Sequence, residues 1–302
     1  MRVTLTGATG MIGRALAEAL LARGDEVTAL TRDPGSAAAR LPAGATAVAW
    51  DPAAGPAPAE ALAGRDAVVH LAGENLAQRW TPEAKARIRA SREQGTRNLV
   101  AGLRAADPRP ATLVSASGSG FYGPHGDEKV DESAPPGSDF VAQICVAWER
   151  EARAAEELGM RVVLLRTGIV LDAHGGALGK MLLPFRLGVG GPVAGGRQYL
   201  PWIHRDDHVG IVLAVLDAGG FAGPVNVAAP DPATNRDFSK ALGRVLRRPA
   251  VMPVPALALR LLYGEMSQIV LEGVRMVPGR VGELGYTYRY PRLEDALRAA
   301  LS

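Results

Sequence analysis

Cysteine is almost missing: Cys145 is the only one in 302 residues. That excludes an intramolecular disulfide and any metal centre built from several thiolates. Lysine is scarce as well, with only Lys85, Lys129, Lys180 and Lys240 beside 30 arginines. The arginines are scattered with acids between them, and the net charge is only +3. Nucleic-acid-binding chains gather their cations on one face or in one block, so no nucleic-acid partner is expected. Long apolar runs are also lacking. The richest, Pro255 to Tyr263, contains Arg260 and falls well short of the ~18 residues needed to cross a bilayer. No apolar leader core follows Met1-Arg2, so a cytoplasmic protein without a membrane partner is expected.

What is present alternates two periods. Val3 to Thr6, Glu26 to Thr31, Asp66 to Leu71, Ala111 to Ser115 and Arg161 to Arg166 read as short apolar strands, and Thr46 to Trp50 as a weaker one. Helical spacing separates them at Ile12 to Arg23, about Pro82 to Ala106, and about Ser138 to Leu158. Such alternation implies right-handed crossovers and a parallel sheet covered on both faces, an α/β doubly wound fold. Residues 172–202 carry eight glycines and read as an excursion that can cover a ligand. Tyr286 to Tyr290 reads as a strand and Leu293 to Leu301 as a closing amphipathic helix. The expected division is a dinucleotide-binding domain over 1–168 that also receives about 204–228. A smaller α+β substrate lobe then spans 169–203 and 229–302.

The strongest motif is Thr6-Gly7-Ala8-Thr9-Gly10-Met11-Ile12-Gly13, set between the first strand and the first helix. Gly7 permits the tight turn, Gly10 lets backbone approach a pyrophosphate, and Gly13 lets the helix pack close to its strand. Thr9, Met11 and Ile12 complete the loop whose amides face the phosphates. A Rossmann-type dinucleotide site follows. The second strand ends Leu30-Thr31-Arg32-Asp33; Arg32 matches a 2′-phosphate with paired donors, which favours NADP over NAD despite the adjacent Asp33.

Further motifs run through the chain: His70-Leu71-Ala72-Gly73-Glu74, Gly95-Thr96, Ser115-Ala116-Ser117, Phe121-Tyr122-Gly123, Lys180 to Arg186, Gly190-Gly191-Pro192, Trp202 to Asp207, and Gly264-Glu265-Met266 to Pro291. With these the chain resembles the extended short-chain dehydrogenase/reductase superfamily, and within it the atypical sugar-nucleotide-epimerase-like proteins of the epimerase family. The resemblance covers nearly the whole chain. It implies that Leu71, Ala72, Gly73, Glu74 and Arg92 border the cofactor, with Glu74 and Arg92 forming a charged pair there or facing solvent.

Ordinary members of that superfamily carry Tyr-x-x-x-Lys on the helix after the serine strand, and the tyrosine hydroxyl handles the substrate proton. The matching positions here are Val141 and Cys145, and the asparagine usually found three residues before Gly-Thr is Arg92. Valine transfers no proton. Ser117 (with Ser119 as a rival register), Cys145 and Tyr122 are the candidates left for the chemistry, each with a structural alternative. On the substrate side, Lys180, Arg186, Arg197 and Trp202 are the expected contacts. Two functions remain open. One is an NADP-dependent epimerase or oxidoreductase acting on a hydroxyl or ketone carbon of a small molecule such as a nucleotide sugar. The other is a non-catalytic NADP(H)-binding regulatory or redox-sensing protein. Either would be a monomer or a homodimer.

Overall fold

The computed structural model describes residues 1–302. Its strands are β1 (Arg2–Thr6), β2 (Glu26–Thr31), β3 (Thr46–Ala49), β4 (Ala67–His70), β5 (Thr112–Gly118), β6 (Lys129–Val130) and β7 (Arg161–Thr167). The chain continues with β8 (Ile169–Leu171), β9 (Tyr199–Leu200), β10 (Trp202–His204), β11 (Gly223–Val227), β12 (Ala233–Thr234) and β13 (Arg275–Met276). The first five helices are α1 (Met11–Ala22), α2 (Pro34–Ala38), α3 (Pro82–Ala105), α4 (Phe140–Arg153) and α5 (Gly176–Arg186). After them come α6 (Arg205–Asp217), α7 (Asn235–Leu246), α8 (Ala256–Tyr263), α9 (Gln268–Leu271) and α10 (Leu293–Leu301).

Seven strands form one parallel sheet in the order β11-β7-β5-β4-β1-β2-β3. Its inner strands are buried on both faces, which is why Ala67-Val68-Val69 reads as a continuous apolar run and not an alternating one. One face packs Leu16 and Leu20 of α1 and Ile211, Val212 and Val215 of α6; the other packs Leu99 and Leu103 of α3 with Val68 and Leu164. The strand order reverses at β1, between β2 and β4, so a crevice opens outside their carboxyl ends, where such sheets bind ligands.

A separate core joins Leu178, Leu182 and Phe185 of α5 to Trp202, Phe238, Leu242 and Leu297. The expected excursion is thus an ordered helix and a short strand, not a bare loop. Tyr286 to Tyr290 forms no strand. Its alternating tyrosines mimic period two, but the segment is held by a side chain. Asp207, fully buried on α6, accepts hydrogen bonds from the Tyr286 hydroxyl at 2.8 Å, the Arg289 amide at 2.7 Å and the Tyr290 amide at 3.0 Å. No helix is long and apolar enough to cross a membrane.

Candidate cofactor and substrate site

The crevice begins at the glycine loop. Gly7 has φ +70°, and a Cβ there would stand 2.9 Å from the Ala72 amide nitrogen. At Gly13 a Cβ would lie 2.2 Å from the Gly7 carbonyl oxygen. Neither position tolerates a side chain as the backbone stands. Thr6 ties the loop to the next strand: its Oγ1 accepts from the Leu71 and Ala72 amides, both at 3.1 Å. His70 bridges Thr6 Oγ1 at 2.7 Å and Thr96 Oγ1 at 3.0 Å. Burial, with Arg92 nearby, pulls its pKa down to about 4, so it stands neutral.

Helix α1 starts at Gly10 with no side-chain cap and no acid in its first turn, whereas Asp33, Thr81 and Asp139 cap α2, α3 and α4. Its amides and positive dipole end face the crevice, a cradle that fits a pyrophosphate. Beyond the end of β2, Arg32 is exposed. Asp33 is occupied: its carboxylate accepts from the Ser36 amide at 3.1 Å, and the Ser36 hydrogen bonds hold its pKa below the ordinary value. Arg40 donates to the Thr9 carbonyl at 2.9 Å, a contact the sequence reading missed.

From Gly7, Gly10, Met11, Ile12 and Gly13 the crevice runs past Leu71, Gly73 and Arg92 to Ser117, Cys145 and the second lobe, enclosing about 770 Å³. Arg92 is buried and lies flat beneath Gly73, where a Cβ would meet its guanidinium at 3.3 Å. The expected Glu74–Arg92 charge pair is not formed. Arg92 Nη1 donates to the Glu74 main-chain carbonyl at 3.0 Å and the Ile88 carbonyl at 3.3 Å, while the Glu74 carboxylate accepts from Gln78 Nε2 at 3.1 Å. Burial lowers the Arg92 pKa, and its guanidinium lies 4.9 Å from the Trp148 ring.

Ser117, next to last in β5, lines the crevice. Its hydroxyl donates to Glu149 Oε1 at 2.7 Å. Both carboxylate oxygens of Glu149 accept from Arg166 at 2.9 Å, and both side chains are buried. A bidentate buried pair fixes the Glu149 geometry, and with its proton directed to Glu149 the Ser117 oxygen is left as an acceptor beside the Cys145 thiol. The signal was present: Arg166 directly follows the apolar run Val162–Leu165 inside a strand, and Glu149 follows Cys145 by one turn.

Two of the three proton-transfer candidates lose ground, Tyr122 by its position and Cys145 by its burial. Tyr122 is 1% exposed and does not line the crevice. Its hydroxyl donates to Asn226 Oδ1 at 2.6 Å and accepts from Arg166 at 3.0 Å, and burial raises its pKa. Cys145 does line the crevice, but burial pushes its thiol up to about 12, so no thiolate is available near neutrality. Val141 packs into the cleft over Gly120, where a Cβ would lie 2.4 Å from its Cγ1.

The four expected substrate contacts do not line the crevice. Lys180 is exposed and donates to the Ala77 carbonyl at 3.0 Å. Arg186 and Arg197 are exposed as well, and none of the three lines the crevice. Trp202 is fully buried, its indole N–H donating to the Asp231 carbonyl at 3.0 Å; its bulk fills the second core.

A Rossmann-type sheet with a glycine cradle at its switch point defines a nucleotide-binding protein of the extended short-chain dehydrogenase/reductase type. The family model described as the NAD dependent epimerase/dehydratase family matches residues 3–228, and the chain belongs to that family. A second model, a domain of unknown function (DUF1731), matches residues 254–300. Human epimerase family protein SDR39U1 is 38% identical over 99% of this chain and 99% of its own length. The chloroplastic SDR39U1 homolog of Arabidopsis thaliana is also 38% identical, over 100% of this chain and 87% of its own. The crystal structure of human SDR39U1 (isoform2) with NADPH superposes with a TM-score of 0.89 at 37% identity, covering 100% of both chains. A nucleoside-diphosphate sugar epimerase from Corynebacterium glutamicum gives 0.78 at 32% identity, over 100% of this chain and 58% of that one.

Proposed function

We propose that this chain is an NADP(H)-binding oxidoreductase or epimerase acting at a hydroxyl or ketone carbon. The observation that carries the reading is one continuous crevice from the glycine cradle to Ser117. The NADPH of the human structure supports the choice of cofactor, as does Arg32, exposed beside a carboxylate already engaged as a cap. In this reading Gly7, Thr9, Gly10, Met11, Ile12 and Gly13 hold the pyrophosphate. Leu71, Ala72, Gly73, Glu74 and Arg92 border the rest of the cofactor. Bound there, NADP(H) supplies hydride transfer at its nicotinamide.

Ser117 then orients the substrate. With its hydroxyl donating to Glu149, its oxygen accepts from a substrate hydroxyl, and the proton that leaves the alcohol has one carboxylate within reach through Ser117, that of Glu149. Cys145 stays protonated and packs beside Ser117. Protein saturated with NADP+ and offered a panel of secondary alcohols should gain reduced-nicotinamide absorbance. Ser117→Ala should lower kcat about a hundredfold while leaving the coenzyme Kd unchanged.

A second reading, a non-catalytic reporter of the NADPH/NADP+ ratio, is favoured by Val141, which leaves no phenol where the superfamily carries its acid. Tight coenzyme binding with no absorbance change across the whole panel would select it.

A further inference from the structure

Past the cofactor cradle the crevice turns apolar. One face of α4 presents Val141, Ile144 and Trp148, and Leu76, Trp80 and Ile269 face it from the loop before α3 and from α9. Arg92 is the only lysine or arginine among the lining residues; it lies under Gly73, at the cofactor's end, with its Nη1 engaged by carbonyls. At the opposite edge the lining includes the carboxylate of Glu272. A nucleotide sugar would carry two phosphate charges into this hydrocarbon wall with no cation to receive them, a costly burial.

We propose that the substrate end takes an uncharged hydroxy or keto compound with a sizeable apolar body, not a nucleotide sugar. The inference rests on the NADP(H) reading above and specifies the substrate class of that same site. The polar side chains on hand are neutral or acidic: Ser117 offers an acceptor, Asn75, Tyr199 and Gln268 also line the crevice, and the buried indole N–H of Trp148 has no partner in the protein. The rest of the wall favours the ligand by excluding water.

The test uses the full chain saturated with NADPH and follows tryptophan fluorescence as ligands are titrated. The ligands are a series of straight-chain 2-alkanones, the matching 2-alkanols with NADP+, and UDP-glucose. Each added methylene should tighten binding about fourfold, the ~0.8 kcal/mol of a buried methylene, until the crevice is filled. The series should not weaken with added salt. Ile269→Asp, at a position 42% exposed, should flatten the series without changing the Kd for NADPH. A flat series in the unaltered protein, no binding by any alkanone or alkanol, or tighter binding of UDP-glucose would each overturn the proposal. A preliminary NADPH titration keeps the two claims apart, because a chain that takes up no coenzyme refutes the functional reading itself.

Discussion

Arg32 offers the sharpest test of the coenzyme assignment. It stands exposed beyond the end of β2, its neighbour Asp33 is committed to capping α2, and Arg40 is committed to the Thr9 carbonyl. Replacing Arg32 with alanine therefore removes the guanidinium left free to meet a 2′-phosphate and disturbs no hydrogen bond of the free protein. A charge-assisted hydrogen bond is worth about 1.5–3 kcal/mol. Solvent screening at an exposed position holds the effect to the lower part of that range. Arg32→Ala should thus weaken NADPH about ten- to thirtyfold and NADH less than about twofold, measured by calorimetry at fixed low salt. The loss should shrink as salt is raised. Equal losses for the two coenzymes would refute the assignment of Arg32 to the 2′-phosphate.

Other outcomes follow from the same geometry. Gly13→Ala forces a methyl to within 2.2 Å of the Gly7 carbonyl and should cost about 1–3 kcal/mol of stability. It should also abolish NADPH binding; an unchanged Kd would show that the cradle is not the phosphate site. Glu149→Leu strands the buried Arg166 charge and should cost about 3–5 kcal/mol in urea unfolding, whereas Ser117→Ala should cost far less. Acidification should destabilise the fold through His70 and His208, each buried and depressed to about 4. Because their folded pKa values lie below the unfolded ~6.5, the stabilisation is complete above that value. It is lost as pH falls toward 4, by as much as about 3 kcal/mol per histidine. A urea midpoint that stays constant from pH 7 to pH 4.5 would contradict this.

The central strands were legible in the sequence because burial on both faces writes them as apolar runs, as in Ala67-Val68-Val69. The glycine cradle was legible because its constraint is local: two positions cannot carry a Cβ, and both lie within one turn of chain. The Ser117–Glu149–Arg166 network was not, since it joins three elements brought together only by the fold, although an arginine directly after the apolar run Val162–Leu165 hinted at a partner. Lys180, Arg186 and Arg197 are exposed and do not line the crevice, since residue type and proximity to a glycine-rich stretch do not fix side-chain direction. Tyr286, Tyr288 and Tyr290 copied a strand's period, yet the hydroxyl of Tyr286 and the main chain that follows it answer to one distant carboxylate.

That carboxylate, Asp207, makes the C-terminal segment structurally indispensable. The two stretches recognised by separate family models meet at it, and cutting the chain near residue 254 would strip all three donors from an anion sealed away from water. Such a truncation would destabilise α6 and the sheet it covers, so the halves should melt in a single transition. The tail is best regarded as the clasp that finishes the nucleotide-binding body, not as a module attached to it.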